Sequence, residues 1–100
     1  MTQKQADKLL AVFGPRGKNW IKGVLHGVDG GHCIVGGLHV AFPTNRTQVA
    51  VTKDIKTALG FRISPNEQLA YWNDAPERTF SDVRKLILSC VTKPKRKAAK

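Results

Sequence analysis

Phe80, Val83, Leu86, Ile87 and Cys90 recur at intervals of three and four, and no other stretch of this 100-residue chain restricts its own conformation so tightly. Side chains spaced in this way share one stripe of an α-helix. Thr79 starts the pattern, with Asp82 three residues later. A helix with one apolar stripe has to lay it against other elements, so the chain needs a core. One hundred residues make one domain, which buries roughly two-thirds of the surface of its unfolded chain.

The partners for that stripe can be read upstream. Thr2 caps a first helix, with Gln5 completing a capping box; Ala6, Leu9, Leu10 and Phe13 follow at helical spacing, and Gly14-Pro15 ends it. GPRGKN, residues 14–19, reads as a loop. Val49, Val51, Ile55, Ala58 and Leu59 predict a helix of about twelve residues, closed by Gly60. Ser64, Pro65 and Glu67 combine two helix-start signals, before a helix with Leu69, Ala70 and Trp72 on its core face.

Residues 20–42 are less decided. Asp29-Gly30-Gly31 lies between two apolar runs, a hairpin signal that predicts strands near 20–26 and 32–35; a helix from Ile21 to His26 is the alternative. CIVGGLHVAF, residues 33–42, either continues as strand or forms a short helix from about Ile34 to Phe42, stopped by Pro43. Gly36 and Gly37 favour the helix, packed closely on a neighbour. The expected fold class is α+β and mostly α: four or five short helices with one small β-hairpin. Residues 1–92 form a single compact domain and 93–100 a basic flexible tail.

Charge is the strongest compositional signal. Seventeen Lys and Arg stand against seven Asp and Glu, a net charge of +10. KPKRKAAK, residues 93–100, carries five positive charges and no negative one, so half of the excess sits in the last eight residues. Such a tail attracts any polyanion through counterion release. No apolar run approaches the ~20 residues that span a bilayer. The first thirteen residues, of mixed charge, lack the pattern of a signal peptide. Two cysteines, Cys33 and Cys90, are too few for a disulfide framework. A cytoplasmic protein with reduced thiols is expected.

YWNDAPERTFSD, residues 71–82, reads as a tight corner between two helices. Trp72 ends one core face and Phe80 begins the next. Asn73 tolerates the left-handed conformation that closes a helix. Asp74 can accept from backbone amides two or three residues on. Pro76 forbids continuation, Arg78 is near enough in sequence to pair with Asp74 or Glu77, and Thr79 reopens helix. An active site would also need a nucleophile or base poised near a pocket, and none is evident nearby, so the stretch is not read as one.

The same stretch resembles the C-terminal signature of a small uncharacterised domain family of bacteria and their phages: an aromatic-Asn-Asp, then Pro, then Arg-Thr, then an acidic residue on an amphipathic helix. Trp72, Asn73, Asp74, Pro76, Arg78, Thr79 and Asp82 match it. Cys33, Gly36 and Leu38 resemble the family's upstream segment, with Trp20 and Gly23 before them. The family often has Gly before the Arg-Thr pair, where this chain has Glu77. The resemblance spans residues 20–92, implies one compact, mostly helical domain, and implies nothing about catalysis.

Other chemistries fit poorly. His26, His32, Cys33 and His39 follow H-x5-H-C-x5-H, which matches no structural zinc pattern; no metal or cofactor is expected. A Cys33 nucleophile would need a base and an orienting group, and neither is evident. GPRGK lacks the spacing of a phosphate loop, although it could bring Arg16 and Lys18 to a phosphate backbone. A helix-turn-helix over 53–72 would offer an acidic recognition helix to the major groove. The function expected is therefore non-enzymatic: a small accessory protein of phage or bacterial type that binds nucleic acid weakly and through charge. The residues expected to carry it are Lys93, Lys95, Arg96, Lys97 and Lys100, with Arg16, Lys18 and Lys22 as a second patch. The alternative is a protein-interaction module that binds and modulates a host protein, the tail meeting an acidic surface.

Overall fold

The computed structural model describes residues 1–60 and 66–92. Thr2 and Gln5 open helix α1 (Gln3–Phe13) with a reciprocal capping box: Gln5 N donates to Thr2 Oγ1 at 3.0 Å and Thr2 N to Gln5 Oε1 at 2.9 Å. After one 3₁₀ turn, Pro15–Gly17, the chain runs without regular structure to α2 (Ile34–Ala41), then through α3 (Asn45–Leu59), α4 (Asn66–Asp74) and α5 (Phe80–Ser89). Gly60 closes α3 in the left-handed conformation, at φ 81°. Thr79 and Asp82 form a second capping box at the start of α5. Ser64 and Pro65, expected at the start of α4, and the tail 93–100 lie outside the described residues.

All five helices feed one core. Leu9 and Phe13 from α1, Ile34 and Leu38 from α2, Val51 and Ile55 from α3, Leu69 from α4 and Val83 and Ile87 from α5 are essentially shielded from solvent. Each such side chain contributes roughly 1.5–3 kcal/mol of transfer free energy. α1 packs on α2 and α5, and α2 also contacts α3 and α4. The Met1 ammonium group ties the far end together, donating to Asp54 Oδ2 of α3 at 2.6 Å and to Cys90 O at 2.9 Å. No helix among the described residues is long and apolar enough to cross a membrane.

The expected hairpin is not there. In place of strands at 20–26 and 32–35, the structure has two isolated bridges, Trp20 with His32 and His26 with His32. The glycine turn does form, with Gly27 N donating to Gly31 O at 2.8 Å. Its two arms bond to each other only at scattered points, Ile21 N to His32 O at 3.1 Å, His32 N to Asn19 O at 2.8 Å and Cys33 N to Leu25 O at 3.2 Å, and they have other partners as well. Ile21 O and Gly23 N bond to the side chains of Asn73 and Asp74 on α4. The second arm becomes α2 at Ile34, because Cys33 Sγ caps it, accepting from Gly36 N at 3.5 Å. The helix expected over 34–42 thus forms, and it ends at Ala41, one residue early. It presses on the loop: a Cβ on Gly36 would overlap the Leu25 carbonyl.

Candidate functional site

Asn73 is the residue on which the irregular segment depends. It is fully buried and sits within α4, so its backbone is helical and does not take the left-handed turn expected of it. Its Oδ1 accepts from Trp20 Nε1 at 2.6 Å and from Ile34 N at 3.0 Å, and its Nδ2 donates to Ile21 O and to Asp74 Oδ1, both at 3.0 Å. One amide thus joins α4, the 20–23 segment and the first turn of α2. Asp74 also differs from expectation: Oδ1 accepts from Gly23 N at 2.9 Å, fifty-one residues away, and no bond to a following amide is needed.

The rest of the corner closes around this pair. Arg78 Nε donates to Trp72 O at 2.8 Å, and its guanidinium stacks 4.1 Å from the Trp72 ring centroid, instead of pairing with Asp74 or Glu77. Pro76 lies exposed in the turn, and Thr79 Oγ1 accepts from Asp82 N at 3.3 Å. The placement of Asp82 at the helix start has an electrostatic consequence: the bond from Thr79 N holds its carboxyl below the usual range. Phe80 meets Phe13 and Trp20 at centroid distances of 5.7 and 6.2 Å. The stretch therefore anchors a loop onto a helix as well as joining two helices.

The basic residues divide by what they touch. Lys22 is half-buried, and its Nζ donates to Ala75 O at 2.8 Å and Pro76 O at 3.3 Å, the carbonyls just past the end of α4. A cation is favoured there by the helix dipole, so this lysine, expected as part of a phosphate-facing patch, is engaged in the corner. Arg16 and Lys18 are exposed. Arg16 lies in the left-handed region at φ 57°, a conformation that costs a non-glycine residue roughly 1 kcal/mol. It lines an open cleft of about 520 Å³ together with Leu10, Pro15, Phe80, Ser81 and Arg84. Two guanidinium groups and no acidic side chain thus share one concavity. Neither makes an ion pair or a side-chain hydrogen bond among the described residues.

Nothing in the sequence singles out Arg84. Its only signal is its place off the apolar stripe of α5, which by itself reads as a solvated face. The packing of α5 beside α1 brings it to Arg16. Lys93, Lys95, Arg96, Lys97 and Lys100 lie outside the described residues.

His26 and His32 meet through their Nδ1 atoms at 2.8 Å, with ring planes 84° apart. Burial, and then the nearby His26, hold the His32 imidazole below its ordinary pKa. Cys33 is buried and engaged as a helix cap. Among the described residues no three His, Cys, Asp or Glu side chains converge on a metal position. Both cysteines are free thiols, and burial pushes the Cys90 thiol up, away from the thiolate that nucleophilic chemistry requires.

A family model described as a family of unknown function, DUF6197, matches residues 6–92 of the chain. No curated protein and no solved structure matches it.

Proposed function

From the premise that the chain belongs to DUF6197, a family of unknown function, we propose that it is a small non-enzymatic accessory protein, of phage or bacterial type, that binds nucleic acid weakly and through charge. The observation that carries this reading is the pairing of Arg16 and Arg84 in one open cleft free of acidic side chains. Arginine forks suit phosphate oxygens, and Lys18 adds an exposed charge to the same turn. The sequence supplies five further charges between 93 and 100. Carried by phosphate contacts, such binding is expected to depend on salt and little on sequence. Free thiols at Cys33 and Cys90 fit a cytoplasmic setting.

Fluorescence anisotropy on a short duplex, at several salt concentrations, tests the proposal. Changing the five tail cations to Gln should lower the salt slope by about 4 to 5, and Arg16→Gln with Arg84→Gln by about 2, since each phosphate contact contributes about 0.9. Full-length protein that does not bind at low salt would exclude nucleic acid as the partner.

A further inference from the structure

A second concavity, of about 420 Å³, opens between residues 23–25 and the outer face of α4. Val24, Leu25 and Tyr71 line it and remain 55, 42 and 69% exposed. Large apolar side chains gathered round a depression mark a surface that gains from being covered. Its charge is unlike that of the rest of the molecule. Among the described residues Glu67 and Asp74 line it and no Lys or Arg does, on a chain with seventeen basic and only seven acidic residues. The Lys22 ammonium, one residue before Gly23, is held by the Ala75 and Pro76 carbonyls.

The backbone along one wall is open as well. Gly23 N–H is taken by Asp74, and Leu25 C=O by Cys33 N–H. The N–H groups of Val24 and Leu25 and the C=O of Val24 make no hydrogen bond among the described residues. Unpaired main-chain groups beside an apolar groove offer a peptide backbone its hydrogen bonds, while pockets for its side chains provide specificity.

We propose that this groove binds a short basic peptide segment of another protein, which seats an apolar side chain between Leu25 and Tyr71 and sets a lysine or arginine against Glu67 and Asp74. The acidic lining selects for a cation and repels phosphate, so nucleic acid is a poor occupant. This inference gives chemistry to a protein partner. It shares no residue with the arginine cleft, so either can fail while the other stands.

The probe is a labelled octapeptide of alternating Lys and Leu, with alternating Glu and Leu as its counterpart, titrated with full-length protein at physiological salt. The Lys-Leu peptide binds saturably despite the positive charge of the protein, and the Glu-Leu peptide does not compete with it. Glu67→Lys and Tyr71→Ala each weaken binding about tenfold, as expected for a groove charge and an aromatic anchor, whereas Glu77→Lys, an exposed acid outside the groove, weakens it less than about twofold. Both groove residues are exposed, and thermal melts check that the variants fold; if Tyr71→Ala melts early, Glu67→Lys against Glu77→Lys decides. Absence of binding, equal loss in Glu67→Lys and Glu77→Lys, or competition by the Glu-Leu peptide overturns the proposal. So does a tenfold gain when the tail cations are changed to Gln, which would make the chain's own tail the occupant. A dimer that Tyr71→Ala dissociates would make the occupant a second copy, and overturns it equally.

Discussion

One buried amide ties the loop to the helices through four hydrogen bonds. Asn73 offers an oxygen to two N–H donors and an N–H2 group to two acceptors, and among the side chains of its size only Asn has both kinds of group. An Asp would lose the donors, and a Leu would lose all four bonds. Asn73→Ala leaves Trp20 Nε1, Ile34 N and Ile21 O without their partner, and a buried polar group so deprived costs about 1–3 kcal/mol. We expect a loss of about 3 kcal/mol, read from urea unfolding followed by tryptophan fluorescence, since water reaching the cavity can rescue part of the sum. A loss below about 1 kcal/mol would mean that the 20–23 segment is held by other contacts.

At the scale of elements, α2 shows how the loop limits a helix. Alanine normally stabilises an exposed helix interior by about 1 kcal/mol over glycine. At Gly36 the sign should reverse. A Cβ there would collide with the Leu25 carbonyl, which is backbone and cannot rotate away. At neighbouring Gly37 it would press on the ring of Phe13, a buried side chain packed against Phe80. Gly36→Ala is therefore expected to destabilise by about 2 kcal/mol, in the range of overpacking substitutions, measured by thermal melts. A variant that melts above the wild type would show that residues 23–26 lift from α2 at little cost. The two glycines can be read in the sequence as a sign of close packing; that the neighbour is an irregular loop cannot, because the hairpin signal around Gly30 points to strand pairing.

For the whole molecule, charge is the main lever. A net +10 on 100 residues repels itself more strongly when folded than when expanded. Salt screens this repulsion, with a Debye length near 10 Å at 0.1 M. Raising NaCl from about 10 to about 200 mM should therefore raise the Tm by a few degrees. A fall would mean that favourable pairs such as Met1 with Asp54 outweigh the general repulsion. The same charge is legible at sight, but its grouping is not. Arg16 and Lys18 stand out in a glycine loop, whereas Arg84 looks like any exposed helix residue until α5 lies against α1. Lys22 shows the converse, a loop lysine in sequence that the fold engages with two carbonyls.

The sequence by itself determined what is local. Capping boxes at Thr2 and Thr79, the stop at Gly14-Pro15, the left-handed close at Gly60 and the apolar stripe of α5 all arise from residues within a few positions of one another, where backbone sterics and short-range hydrogen bonds decide. Tertiary structure decided residues 20–33. Their backbone groups divide between partners of similar strength: each other, at Ile21 N to His32 O and Cys33 N to Leu25 O, and the side chains of Asn73 and Asp74, some fifty residues away. Burial settles such a choice, because a hydrogen bond to a shielded amide is costly to leave unmade. Asn73 is fully buried only once α2 and α4 have packed together, and no pattern along the chain records that packing.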